Sequence, residues 1–357
     1  MTVEVRAVVV SARIGAGHDG AAAELARRLA ALGFDVDRHD YLDLLPGRLG
    51  QRLCDAYHRE LELVPRSWDL LLSAAGTKPL ARLAARLSTM AGTALRVALG
   101  DSPALVVSTY PLATQALGEL RRRGELAAPM VAYLTDPAVH RLAVNRFADL
   151  HIAPNRRAAA AARHLGAAQA VAACPVVAPG FRPAAPGERE RARERFGLDR
   201  RERLALVLSG SWGVGEVEAI TADVAATGAA HPVVVCGRND ALCDRLRHKG
   251  FPHVFGWVDD MPQLMRACDV VVQNAGGLTT LEALATGLPV LTYRCLPGHG
   301  RTNARVLDEL GLVPAVSGRT ALAHALRETR TPGLPPGDDP AVVLAKLAGS
   351  WDFAAAA

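Results

Sequence analysis

Short runs of consecutive β-branched residues alternate with longer stretches in which Ala and Leu return at helical spacing, from one end of the chain to the other. In the first half, Val3–Val10, Phe34–His39, Ala104–Ser108, Met130–Leu134 and Leu150–Ala153 predict strands. In the second half, Leu204–Leu208, Pro232–Cys236, His253–Trp257, Asp269–Val272 and Pro289–Tyr293 do the same. Strands that take turns with helices argue for an α/β fold with parallel sheets. Prolines at 175, 179, 183 and 186 rule out a helix between the halves and mark a linker. The expected organisation is a doubly wound, Rossmann-like domain over 1–175, a linker over 176–187 and a second such domain over 188–335. A last helix within 336–357 can pack back on the first domain. The dense charge from Glu188 to Arg203 reads as a solvated helix face.

One stretch departs from this rhythm. Leu61, Val64, Trp68, Leu71 and Leu72, then Leu80, Leu83, Leu87 and Leu95, recur at helical spacing, with Arg82 and Arg86 on another face and Arg66, Lys78 and Arg96 nearby. Such segments lie on anionic bilayers or pack on their own sheet.

Composition narrows the picture. A chain of 357 residues can bury two cores, and with only 4% aromatic residues those cores are built from Ala, Val and Leu. The six cysteines show no CxxC spacing, so they read as reduced thiols rather than a metal or disulfide framework. No apolar run reaches membrane-span length, and Ala7–Val10 is too short for the core of a signal peptide. A cytoplasmic protein is expected. The net charge of +5 resides in the first half: residues 1–180 carry 21 Lys/Arg against 16 Asp/Glu, and the rest carry 20 of each. A basic face can meet nucleic acid, an anionic membrane or a phosphorylated substrate, or reflect general Arg usage.

Three segments carry candidate chemistry. In DVVVQNAGGLTTLEALATGLP, from Asp269 to Pro289, a strand runs into Gly276-Gly277 and then a helix starting near Leu278, with Glu282 one turn inside. Unpaired N–H groups at a helix start attract an anion. A carboxylate one turn in accepts hydrogen bonds from a polyol beside that anion, so phosphate and ribose together indicate a nucleotide. In LVLSGSWGVGEVEA, Gly210, Gly213 and Gly215 again follow a strand and open a helix, with no lysine for a Walker A loop. Three glycines there suggest backbone close to a ligand. VCGRND and GWVDDMPQL feed the same edge.

The third segment, SARIGAGHDG, holds Gly15-x-Gly17-x-x-Gly20, with Asp37 and Asp40 at the distance a dinucleotide site requires. His18 falls in that turn, where its imidazole can accept a proton. Asp136 and His140, in YLTDPAVHR, belong to the matching edge. A helix or turn cap is as natural a role for Asp136 as a catalytic one.

Together these residues resemble a GT-B glycosyltransferase of the group holding monogalactosyldiacylglycerol synthases, processive diacylglycerol glucosyltransferases and the lipid-II N-acetylglucosaminyltransferase. The likeness is densest from Leu206 to Leu312, through VLSGSWGVGEVEA, VVCGRNDAL, FGWVDDMPQLMRACDVVVQNAGGLTTLEALATGLPVL and LPGHGRTNARVL. SARIGAGH, YLTDPAVH and FADLHIAPN are similar to blocks of the first half. The resemblance implies two Rossmann-like domains facing a central cleft, the first for the acceptor and the second for a UDP-sugar. Glu282 would then hold the ribose, the turn Gly276, Gly277, Leu278, Thr279 and Thr280 the phosphates, and the backbone of Val258 the uracil. Gly210, Ser211, Gly213 and Gly215 would line the diphosphate and sugar, with Arg238, Met261, Asn274, Gly298, His299 and Asn303 completing the donor set. His18 would stand in the acceptor-side glycine loop and Asp136 in the acceptor-side TD motif, with Gly17 of the same loop counted among the donor contacts. One block departs from the lipid enzymes' PGxExxN: this chain reads Pro297-Gly298-His299-Gly300-Arg301-Thr302-Asn303, so Gly300 replaces a carboxylate and leaves the donor sugar open.

The expected reaction is inverting, metal-independent transfer from a UDP-sugar to an acceptor hydroxyl, with His18 as base, Asp136 as its partner and domain closure expelling water. The expected partners are a UDP-sugar, a lipid such as diacylglycerol or another small-molecule acceptor, and an anionic membrane surface met by the first domain, which would make the protein peripheral on the inner face of the plasma membrane. Neither a cofactor nor nucleic acid is expected. The alternatives are a UDP-sugar epimerase, a glycosyltransferase of soluble natural products, an NAD(P)-dependent oxidoreductase and a non-catalytic sugar-nucleotide sensor.

Overall fold

The computed structural model describes residues 5–14, 16–63, 89–328 and 330–350. They gather into two compact units, one built on most of the chain up to Val176 with the segment from Pro335, the other on Val177–Leu334. In the first, β1 (Val5–Ser11), β2 (Phe34–Asp40), β3 (Leu105–Ser108), β4 (Met130–Tyr133), β5 (Leu150–Ala153) and β6 (Ala170–Ala172) form a six-stranded sheet ordered β2-β1-β3-β4-β5-β6. In the second, β7 (Leu204–Leu208), β8 (His231–Val235), β9 (Val254–Phe255), β10 (Val270–Gln273), β11 (Val290–Tyr293) and β12 (Ala315–Val316) are ordered β12-β11-β10-β7-β8-β9. Every pairing is parallel.

Burial on both faces explains why the central strands are apolar throughout. Val8 and Val10 enter one core cluster and Ala7 and Val9 another. Leu204, Leu206 and Leu208 face one side of the second sheet, Ala205 and Val207 the other. The last helix, Pro340–Ser350, places Ala341, Leu344 and Ala348 in the cluster that holds Leu25 and Leu29 of helix Ala16–Ala31. Arg28 pairs with Asp339 at 3.1 Å across that contact.

Each strand read from the sequence is present, with ends moved by a residue or two. The edge strands β6 and β12 escaped the pattern, the first inside an alanine-rich stretch and the second only two residues long. The charged run also holds a surprise. Its helix, Glu188–Arg195, buries Arg193 to 4% exposure, where the guanidinium donates to the carbonyls of Ala267, Asp199, Arg200 and Glu202 and pairs with Asp269. A solvated face was expected there; saturating the donors offsets the cost of burying the charge.

Of the amphipathic stretch, residues 64–88 lie outside the described residues, as does Gly15. Leu95 is described and fully buried in helix Gly92–Leu99. No helix among the described residues is long and apolar enough to cross a membrane. All six cysteines are free thiols.

Strand order places the crevices. The first sheet reverses direction of growth between β1 and β3, and the second between β7 and β10. Open parallel sheets bind ligands at such switch points, beyond the C-terminal strand ends.

Candidate functional site

The first unit's crevice holds His18. Helix Ala16–Ala31 begins before it, so Gly17 and His18 stand in the first helical turn rather than in the preceding turn. Its Nδ1 lies 2.8 Å from the carbonyl oxygen of Thr109, just past β3, and 3.1 Å from Oγ1 of Thr135, just past β4. Thr109 Oγ1 donates back to the His18 carbonyl at 3.0 Å, and the Tyr110 ring meets the imidazole edge to face at 5.5 Å. His18, Tyr110, Thr114, Thr135, Asp136 and His140 line one open recess of about 320 Å³. Thus His18 and Asp136, far apart in sequence, share a site. Thr109, Tyr110 and Thr135 were not singled out from the sequence; their signal is a hydroxyl residue just past a strand end.

The dinucleotide alternative loses its acid here. Asp37 takes a hydrogen bond from Arg6 at 2.6 Å, Asp40 is paired with Arg13, and Gly20 lies inside the helix.

The second unit's crevice lies between the loops after β7 and β10. Asn274, fully buried, donates its Nδ2 to the Val214 carbonyl at 2.8 Å and accepts from the Leu296 amide through its own carbonyl at 2.8 Å. Three strand-end loops are joined through this one residue. The glycines there divide by what surrounds them. A Cβ on Gly213 would meet the Cys236 carbonyl oxygen at 2.5 Å, and one on Gly215 would meet Asn274 and Leu296 at 2.7 Å. The close approach expected for a ligand is made at these two positions by the protein's own loops. Gly210 alone of the three faces open space.

The turn after β10 is similarly divided. Gln273 Oε1 accepts from the amides of Ala275 at 2.6 Å and Gly276 at 2.5 Å, so these N–H groups are already occupied. The amides of Gly277, Leu278 and Thr279, at the start of helix Leu278–Ala285, remain to face an anion. Gly276 packs against Asn303, where a Cβ would sit 3.0 Å from the Asn303 Cβ, whereas nothing lies within 4 Å of one on Gly277. Gly276→Ala should therefore lower stability by about 1–3 kcal/mol, read as a drop in Tm. Gly277→Ala should leave Tm unchanged.

Glu282 is half-buried one turn inside this helix, and its carboxyl makes no hydrogen bond or ion pair among the described residues. Burial pushes its carboxyl up to about 7. Ser209 Oγ, Asn274 Oδ1 and Thr280 Oγ1, all buried around this crevice, also find no hydrogen-bond partner among the described residues. Buried polar groups are ordinarily hydrogen-bonded, so this cluster distinguishes the crevice from the surrounding core.

The remaining donor candidates surround it unevenly. Arg238 lies between two indoles, 4.6 Å from the Trp257 ring and 5.7 Å from that of Trp212, and its amide donates to the Ser211 carbonyl at 2.8 Å. Val258 and Met261 pack on a core cluster. Gly298 caps helix His299–Glu309, which places Asn303 one turn inside a helix at 2% exposure, not on a loop. Gly300 is tightly packed, since a Cβ would sit 3.0 Å from Leu296 Cβ and 3.4 Å from the Asn274 carbonyl oxygen, so a side chain there needs its neighbours to shift by a few tenths of an ångström. Among the described residues no group of three or more His, Cys, Asp or Glu could hold a metal ion.

Against known structures, the chain is similar to MurG of Acinetobacter baumannii, with a TM-score of 0.53, 15% identity, and 98% of this chain and 100% of that one covered. It is also similar to UGT71G1 of Medicago truncatula complexed with UDP-glucose, at a TM-score of 0.58, 11% identity, and coverage of 97% and 93%. The fold is GT-B. Two doubly wound parallel sheets are what the motifs implied, each with one strand more than the five read from the sequence. Residues 216–329 match the family model described as Glycosyl transferases group 1. Over 221 residues the chain is 26% identical to the processive diacylglycerol beta-glucosyltransferase of Bacillus cytotoxicus, covering 59% of this chain and 55% of that protein. The chain therefore spans about half the length of the curated relatives it matches. The resemblance read from the motifs is one these relatives carry.

Proposed function

We propose that this GT-B protein transfers a sugar from a UDP-sugar to an acceptor hydroxyl with inversion, a membrane lipid such as diacylglycerol being the leading acceptor. The observation that carries the reading is the second crevice, where open first-turn amides at Gly277, Leu278 and Thr279 stand beside the unpartnered carboxyl of Glu282. Amides and helix dipole suit a diphosphate, and the carboxylate suits ribose hydroxyls. In the reaction, Nε2 of His18 takes the acceptor's proton as its oxygen bonds to the anomeric carbon. The bond from that carbon to the diphosphate breaks on the opposite face, and the amides meet the developing charge without need of a metal ion. Asp136, in the same recess, balances the imidazolium or orients the acceptor.

The lipid acceptor is supported by the names of the curated relatives, and the basic balance of the first half suits work at an anionic membrane surface. The test is to incubate purified protein with a panel of UDP-sugars and membrane extract and weigh the products. A lipid gaining one sugar mass, with UDP released, is expected. A sugar-bearing soluble metabolite would move the acceptor class; an isomerised donor formed without acceptor would make it an epimerase. No product from any donor, together with calorimetric indifference to UDP, would overturn the reading.

A further inference from the structure

We infer that Thr135 is the positioning residue that, with the Thr109 carbonyl, fixes the tautomer of His18 and supports its protonated ring. This rests on His18 acting as the base. A carbonyl oxygen can only accept, so the 2.8 Å contact with Thr109 requires the proton on Nδ1. Neutral His18 then carries its lone pair on Nε2, the atom the transfer needs. The Thr135 hydroxyl oxygen, 3.1 Å from the same Nδ1, is a second acceptor for that N–H. The ring cannot turn easily out of this arrangement. Its backbone carbonyl is held by the Thr109 hydroxyl at 3.0 Å, and the Tyr110 ring packs against it in a T-shaped contact at an interplanar angle of 74°.

The three parts come from neighbouring strand ends: His18 follows β1, Thr109 follows β3 and Thr135 follows β4, and these strands are adjacent in the sheet. When Nε2 takes a proton, Nδ1–H becomes a stronger donor, and both oxygens stabilise the imidazolium. The carbonyl cannot be removed by substitution; the hydroxyl can. The other titratable groups lining the recess are Asp136, His140, Tyr110 and Tyr133, and all stay in place in a Thr135 variant.

Thr135→Val keeps the shape and removes the oxygen. In ¹⁵N-detected NMR of the purified protein, His18 should be the Nδ1–H tautomer when neutral. Its titration midpoint should fall by about half a pH unit in Thr135→Val, with the Nε2–H form mixed in, and Thr135→Ser should restore both. In the transfer assay the acid limb of the pH profile should move the same way. Turnover should fall about fivefold with the KM for the donor unchanged, and Thr135→Ser should recover the rate. A Thr135→Val protein that titrates as wild type overturns the inference, as does a loss that Thr135→Ser fails to restore. Undiminished turnover in His18→Ala would instead remove the base itself, and the NMR comparison would still decide whether Thr135 sets the tautomer.

Discussion

His18→Ala should lower turnover by about 10² to 10⁴, on the order of 3 to 5 kcal/mol of transition-state stabilisation, while UDP affinity stays at the wild-type value. An acceptor alcohol is a poor nucleophile at neutral pH, and His18 Nε2 is the atom that the Nδ1 contact with Thr109 leaves able to take its proton. The groups proposed to hold the nucleotide, Gly277 to Thr279 and Glu282, belong to the other unit, so binding and chemistry should separate. His18→Gln, which reaches into the recess but cannot accept a proton at neutral pH, should be as slow as the alanine variant. Product formation followed by mass, with UDP calorimetry on the same preparations, checks both halves. Turnover within a few-fold of wild type would take the role of base from His18 and leave Asp136 as the remaining carboxylate of the recess.

The second large effect concerns Glu282. Its carboxyl is pushed up to about 7 by burial, above the 4.5 of an unburied glutamate. The folded protein therefore holds this proton more tightly than the unfolded chain, and between those two values stability falls as pH rises. Above the upper value the cost of keeping the ion in this site levels off, at about 3 kcal/mol. Glu282→Gln should thus be more stable than wild type at pH 8 and equal to it at pH 4.5, seen as converging Tm values. Binding has the opposite demand. Ribose hydroxyls donate to a carboxylate, so UDP should draw the proton off, and affinity should improve about tenfold from pH 6 to pH 8. The terminal phosphate of UDP titrates in the same range, so the readout is the difference between wild type and Glu282→Gln. The variant should bind more weakly by about 1–3 kcal/mol at pH 8 and lack the part of the pH dependence that comes from the carboxyl. Identical pH profiles for the two proteins would remove Glu282 from the nucleotide site.

Some of this was legible in the chain itself. Central strands such as Val8–Val10 and Leu204–Leu208 are covered on both faces, so they stay apolar at every position and stand out in sequence. Edge strands have no such requirement. Ala170–Ala172 looks like any alanine-rich helix, and Ala315–Val316 is too short to register. Arg193 shows the same limit in reverse: in a run of charge nothing local distinguishes a guanidinium whose donors find carbonyls in the interior.

At the sites, sequence found the turns and the tertiary structure assigned their work. Glycine after a strand marks a tight turn, and the spacing to Glu282 places that carboxylate one turn into the helix, because both follow from local backbone geometry. Which glycine faces a ligand does not. Gly213, Gly215 and Gly276 are spent on the Cys236 carbonyl, on Leu296 and Asn274, and on Asn303, all distant in sequence, while Gly210 and Gly277 are left open. Nor could local pattern show that Gln273 occupies two of the turn's amides, or that His18 is held by Thr109 and Thr135 from two other strands. Periodicity and turn chemistry are properties of neighbours along the chain, so the sequence determined the two parallel sheets and the location of their glycine turns. Burial, tautomer and the freedom of an N–H depend on neighbours in space, and those only the folded sheets supplied.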